Sequence, residues 1–255
     1  MAERHGGIQS IDRAFDVLER LAAAGQPVGI SQLAAESGLP LPTIYRLVRS
    51  LVANGYVRQD ASKRYTLGVR GIILGDAARR SLGPWARPHL EELVDATSET
   101  ANMAILEGDV AVYVAQAPSR HAMRMFTEVG RRVMLHSTGV GKALLSQLDD
   151  TAVRRLVRRG GLVAQTDRTI ADERTLLRAL AEVRERGYAV DDGEQEVGVR
   201  CIAMSVPRTP GNVAVSVSGP SARIPDDQIE SRIVPALRRT AEALAEQLEA
   251  APDDE

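Results

Sequence analysis

A single cysteine, Cys201, stands in a chain of 255 residues, so neither an internal disulfide nor a cysteine-rich zinc site can form. Aromatic residues make up only 3%, which leaves the core to aliphatic side chains. No apolar run approaches the roughly 18 residues that a membrane span requires. The opening Met1-Ala-Glu-Arg-His5 lacks the apolar segment of a signal peptide. A cytoplasmic protein without a membrane partner is expected. Lysine is nearly missing as well. Lys63 and Lys142 are the only two, and every other basic residue but the histidines is arginine. Such a bias fits a GC-rich coding sequence, so arginine abundance alone does not signal phosphate binding.

What is present is ordinary for a globular protein, with 44% hydrophobic and 26% charged residues. The length suits one large or two modest domains. Charge is divided unevenly. Residues 1–80 carry eleven Lys or Arg against seven Asp or Glu, and the remainder 21 against 27. The net charge of −2 therefore conceals a cationic head on an anionic body.

The head contains the most informative stretch. Residues 30–67 read as a helix, a tight turn, a second helix and a hairpin, the order of a winged helix-turn-helix. Ser31 is the candidate N-cap of the first helix, which carries Leu33 and Ala34, and Gly38 is placed to end it. After the turn Leu39-Pro-Leu-Pro42, the apolar residues Ile44, Leu47, Val48, Leu51 and Val52 recur at helical spacing and form one buried stripe. Thr43, Tyr45, Arg46, Arg49 and Ser50 then point outward, toward double-stranded DNA. Residues 56–59 and 64–67 form two strands around the polar tip Asp60-Ala-Ser-Lys63, where Lys63 and Arg64 are candidate phosphate contacts. Upstream, Gln9–Ala24 offers Ile11, Ala14, Phe15, Leu18 and Leu21 as an apolar face to cover this unit.

Residues 68–80 read as a linker helix, with a boundary at Leu82-Gly-Pro84. The expected organisation is a winged helix-turn-helix over 8–68, a linker helix over 69–83 and a body over 84–250. In the body, 84–97 reads as a helix through Leu90, Leu93 and Val94. Residues 100–106 and 110–115 form a hairpin, and 123–129 is a further strand candidate. Helices follow at 142–148 and 172–186, and strands at 188–190, 201–207 and 212–218. A last helix over 228–248 aligns Ile229, Ile233, Leu237, Ala241 and Leu244 on one side. Hairpin strands with flanking helices describe an α+β sheet domain rather than a doubly wound nucleotide fold.

Ser137-Thr-Gly-Val-Gly-Lys-Ala-Leu-Leu145 places small residues at a helix start, where free N–H groups and the positive dipole end favour a carboxylate. The alternative is that these glycines permit close packing. A phosphate-binding loop is unsuited to the stretch, because His136 replaces its first glycine and Ala143 its magnesium-binding hydroxyl. In Val213-Ala-Val-Ser-Val-Ser218 the two serines share one strand face, either a solvated face, which alternation favours, or the floor of a polar pocket. Cys201 lies in an apolar strand and reads as a small buried hydrophobe. Asp191 reads as a turn former.

The chain resembles IclR-type transcriptional regulators along nearly its whole length. The likeness rests on Ile11-Asp-Arg-Ala-Phe-Asp-Val-Leu18 and Leu41-Pro-Thr-Ile-Tyr-Arg-Leu47 in the head. In the body it rests on Leu135-His-Ser-Thr-Gly-Val-Gly-Lys-Ala-Leu144, Arg186-Gly-Tyr-Ala-Val-Asp191, Gly198-Val-Arg-Cys-Ile-Ala203 and Val215-Ser-Val-Ser-Gly-Pro220. Ser98-Glu-Thr-Ala-Asn-Met-Ala104 and Met123-Arg-Met125 make it similar to the glyoxylate- and allantoin-responsive repressor branch. The resemblance implies a GAF-like effector domain, a homodimer or homotetramer, a palindromic operator, and release by a small organic acid or ureide. It further implies an effector pocket at Gly139, Val140, Asp191, Cys201, Ser216 and Ser218. The Gly139 and Val140 amides would hold a carboxylate, the serines would donate hydrogen bonds, Asp191 would accept one and Cys201 would abut the carbonyl carbon. Val140 is bulkier than the alanine often found there, and the residues around Glu194-Gln-Glu196 vary. No cofactor, metal or catalytic role is expected. An activator responding to an aromatic acid is the alternative reading.

Overall fold

The computed structural model of the chain describes residues 8–82, 85–125, 127–209 and 212–250. The chain divides into two units, residues 1–80 and 81–255. Gly83 and Pro84 of the expected boundary lie outside the described residues.

The first unit consists of α1 (Gln9–Ala24), α2 (Ile30–Ser37), α3 (Leu41–Ala53), the hairpin β1 (Val57–Gln59) and β2 (Tyr65–Leu67), and all but the last two residues of α4 (Arg70–Leu82). Its core joins Val17, Leu21, Val28, Leu33, Ile44, Val48, Leu51, Val57 and Tyr65. Spacings of four and three within α1 and α3 make these residues meet. Several expectations need correction. Ser31 lies inside α2, not at its cap, because Val28 is held in a strand-like bridge to Tyr65 and the helix starts as soon as Gly29 is passed. The turn before α3 ends at Pro40 and Pro42 sits in the helix's first turn, where a missing N–H costs no bond. Val52 lies at the edge of the α3 stripe and is exposed, as are Ile11 and Phe15 on α1, where Val17 joins Leu21 as the buried face.

The second unit begins with α5 (Arg87–Thr97), the hairpin β3 (Thr100–Glu107) and β4 (Val110–Ala117), and β5 (Arg132–Met134). There follow α6 (Gly139–Ser146), α7 (Asp150–Gly160), α8 (Glu173–Arg186), β6 (Ala189–Asp192), β7 (Val199–Ser205), β8 (Val213–Pro220) and a one-turn α9 (Asp226–Gln228). A π-turn over Ile229–Ile233 leads into α10 (Val234–Ala250). The six strands form one antiparallel sheet in the order β5-β4-β3-β8-β7-β6. Leu90 and Leu93 of α5 and Leu237 and Leu244 of α10 cover one face with Val215 and Val217. Leu144 and Leu145 of α6 and Leu176 and Leu180 of α8 cover the other with Cys201 and Ala203. All five apolar residues expected along the last helix are buried.

Residues 123–129 hold no strand among the described residues. Their carbonyls are taken by side chains instead: Met125 accepts from the Thr100 hydroxyl at 3.4 Å and Met123 from Arg223 at 3.0 Å. The edge strand beside β4 is β5, at the end of the sheet opposite β6. α7 is an element the sequence reading passed over; Val153, Leu156 and Val157 mark its inner face among four arginines.

Candidate functional site

The outer face of α3 presents Tyr45, Arg46, Arg49 and Ser50 to solvent, with Tyr45 54% exposed, while Thr43 is half-buried. Among the described residues neither Arg46 nor Arg49 has a carboxylate partner, so both guanidinium groups are free to meet an anion. The wing tip is shaped by Asp60, whose carboxylate accepts from the Arg64 amide at 2.9 Å. Asp60 also faces the Arg64 guanidinium at 3.7 Å and dilutes its charge. Lys63 occupies the tip with φ 58°, the left-handed region, and is exposed. Arg58 on the outward side of β1 is a further wing cation, legible from strand alternation after buried Val57 but not singled out in the sequence.

In the body a cavity of about 50 Å³ opens on the α6 side of the sheet. Asp191, Cys201 and Ser218 line it. They meet because Asp191 pairs with Cys201 across β6 and β7, and Cys201 with Ser218 across β7 and β8. Ser216 lies on the same face one pair further on, opposite Ala203 and Asn102. Both serines are buried, so the solvated-face reading gives way to a polar floor under α6. A Cβ added to Gly139 would stand 2.8 Å from Cys201 Sγ, and one on Gly141 only 2.4 Å from the Leu135 backbone. Both glycines therefore serve close packing. The same approach brings the α6 N-terminus onto Cys201.

At that terminus Thr138 accepts from the Gly141 amide at 3.1 Å, and the Lys142 amide bonds the Thr138 carbonyl. The Gly139 and Val140 amides are the first-turn donors without an intrahelical acceptor. The Val140 side chain is fully buried in the core, so only its amide is available to a ligand. Lys142 points away from such a ligand. Its Nζ bonds the Val190 carbonyl at 2.6 Å and forms a buried ion pair with Glu194, which leaves no lysine for a phosphate.

Two family models match the chain: the IclR helix-turn-helix domain over residues 10–61 and the bacterial transcriptional regulator IclR C-terminal domain over 77–246. The chain belongs to the IclR family. It is 35% identical over 232 residues to the transcriptional repressor IclR of Escherichia coli, covering 88% of this chain and 84% of that protein. It is 34% identical over 231 residues to the repressor AllR of the same species, covering 89% and 85%. With the IclR regulator of Alicyclobacillus acidocaldarius it shares 29% identity and a TM-score of 0.81 over 94% of this chain and 98% of that one. A ligand-responsive, DNA-binding transcriptional regulator is thereby established. The relatives are regulators, not enzymes.

In this IclR-family body the electrostatics are set by burial. Burial raises the Asp191 carboxyl to about 6, opposed by bonds accepted from the Glu194 amide at 2.8 Å and the Gln195 amide at 3.3 Å. The turn-forming role read from sequence is thus real, and the same carboxylate lines the cavity. Burial also pushes the Cys201 thiol up to about 11, with Asp191 adding to the rise. A thiol held that high is a poor nucleophile. Sequence reading missed Tyr113, Thr127, Arg131, Thr138 and Gln195 in the wall. They are spread over β4, the segment before β5, the cap of α6 and the β6–β7 loop, and only Thr138 lies within a motif the sequence displays. The exposed Arg131 and Glu196 place one charge of each sign at the rim.

Proposed function

We propose that this IclR-family regulator is a repressor released from its operator by a two- or three-carbon oxoacid of the glyoxylate type, within ureide or glyoxylate metabolism. The observation that carries the reading is that sheet register brings Asp191, Cys201 and Ser218 together on one small cavity. At about 50 Å³ it has room for roughly four waters, since one buried water needs about 10–15 Å³ of such space. Glyoxylate and pyruvate match that size, whereas allantoin, allantoate and aromatic acids are about twice as large. In this reading the Gly139 and Val140 amides hold the carboxylate at the positive dipole end of α6. Ser218 and Ser216 donate, Asp191 accepts and Cys201 abuts the carbonyl carbon. Calorimetry with glyoxylate, pyruvate, allantoin and allantoate, on wild type and Ser218→Ala, tests it. Heat from the small oxoacids that weakens in the variant supports the reading. Heat from the ureides alone contradicts it.

In the head, Arg46 and Arg49 read base edges, Thr43, Tyr45 and Ser50 complete the contact, and Lys63 and Arg64 hold phosphate, with Arg58 beside them. A homodimer on a palindromic site supplies two such heads. Support comes from exposed apolar residues within the first unit: Phe15 at 59% on α1, and Ile72 and Ile73 at 66% and 64% on α4. On α4 these are continuous with exposed Leu74, and a contiguous apolar patch of this kind marks an interaction surface.

A further inference from the structure

Among the described residues the buried carboxamide of Asn102 has no hydrogen-bond partner at either Nδ2 or Oδ1, and beside it lies Ser216, whose hydroxyl has only the Cys201 thiol as a neighbour to bond. Asn102 and Ser216 are both fully buried. They are register partners across β3 and β8. Side chains on a strand alternate between faces, so Ser216 shares its face with Ser218, and Asn102 lies on that same face. Ser218 and its partner Cys201 line the cavity. The carboxamide and hydroxyl thus sit on the same face as Ser218, one pair further along the strands and just beyond the residues that line the cavity. The opposite face of the same strands carries Ala101, Met103, Val215 and Val217 in an apolar core.

A fully buried carboxamide with neither its donor nor its acceptor used is costly, and in a native protein such a group calls for a partner, either ordered water or a bound ligand. We infer that Asn102, with Ser216, is the inner anchor of the effector site and binds the oxygens at the carbonyl end of a small 2-oxo acid. The inference rests on the oxoacid reading above. The carboxylate end is held by the free amides at the start of α6, which packs against Cys201 and Ala203, and Ala203 is the register partner of Ser216. Neighbouring strands are about 4.8 Å apart, so Asn102 lies one strand beyond Ser216, across the floor from that helix start. A carboxamide offers a donor and an acceptor together. A hydrated aldehyde, with hydroxyls that both give and receive hydrogen bonds, uses both, whereas the ketone of pyruvate uses only the donor. Asn102 therefore favours hydrated glyoxylate over pyruvate.

Calorimetry on full-length wild type, Asn102→Leu, Ser216→Ala and Ser218→Ala, each with glyoxylate and with pyruvate, tests the assignment alongside thermal melts without ligand. Asn102→Leu keeps the side chain's shape and removes its polar atoms. It is expected to bind glyoxylate about tenfold more weakly or worse, the equivalent of one lost buried hydrogen bond. Its preference for glyoxylate over pyruvate should narrow, and its melting temperature should not fall. Ser216→Ala, a smaller change, should weaken glyoxylate several-fold and keeps the test open if the leucine variant does not fold. If Ser218→Ala weakens binding while Asn102→Leu and Ser216→Ala bind as wild type, the cavity reading stands and the Asn102 assignment falls. A lowered melting temperature with unchanged affinity would assign the orphaned atoms to structural water. Wild type that takes up neither acid overturns the ligand class and this inference together.

Discussion

Asp191 shows how one side chain carries both fold and site. Its carboxylate bonds two successive amides of the β6–β7 loop and faces the cavity, and burial lifts it to about 6. An unfolded aspartate titrates near 4. Below about pH 4 both states are protonated and the group contributes no pH dependence. Between about 4 and 6 the unfolded chain ionises while the native state keeps its proton, so stability falls as pH rises through this window. Asp191→Asn keeps an acceptor for both amides and removes the buried charge. It should be more stable than wild type at pH 7.5, by up to an amount on the order of 3 kcal/mol, with the gap closing near pH 4. Denaturation at the two pH values checks this. An asparagine variant less stable at pH 7.5 would contradict it. Cys201, raised to about 11 by burial, should react with a disulfide reagent at pH 8 no faster than the protein opens. Rapid labelling of the folded protein would show a reactive thiolate instead.

At the scale of elements, α6 is tied to the β6–β7 loop by the buried Lys142–Glu194 pair and by the Ser137 hydroxyl on Gln195 at 2.7 Å. Removing one partner strands a charge, so Lys142→Met should cost about 3–5 kcal/mol. Adding Glu194→Leu to Lys142→Met should recover most of the loss, because paired apolar replacement of a buried ion pair is often neutral. A double variant no more stable than the single one would refute this. Much of the element map was legible in the sequence, because Leu90, Leu93 and Val94 of α5 and the line Ile229 to Leu244 follow one helical period. The residues of the site were legible through motif likeness, since the Gly139 and Ser216–Ser218 stretches alone fit a packed helix start and a solvated strand. Their joint meaning comes from sheet register, which pairs Asp191, Cys201 and Ser218 over distances no local pattern spans. The strand expected at 123–129 and the missed β5 share one cause. Side chains from β3 and from beyond β8 capture the first segment's carbonyls, a long-range competition that local propensity does not record.

For the whole molecule, the two units imply distinct signatures. Loss of a base-reading arginine, Arg46→Ala or Arg49→Ala, should cost about 1–3 kcal/mol and relax one operator position. Loss of Lys63 or Arg58 should instead weaken all duplexes alike and flatten the salt dependence. Operator selection from random duplexes, followed by affinity measurements in a salt series, separates the two behaviours. Unchanged affinity in both Arg46→Ala and Arg49→Ala would remove α3 from the interface. An Ile72→Asp, Ile73→Asp variant should sediment as a smaller species and lose operator affinity; full affinity as a monomer would contradict the paired-head model.

An effector regulates only by preferring one state of the protein, and the coupling is reciprocal. Titrating the operator complex with glyoxylate and, separately, titrating glyoxylate into free and operator-bound protein measures that coupling directly. Glyoxylate should weaken the operator and be weakened by it, by the same factor. Equal operator affinity with and without saturating glyoxylate would contradict the account.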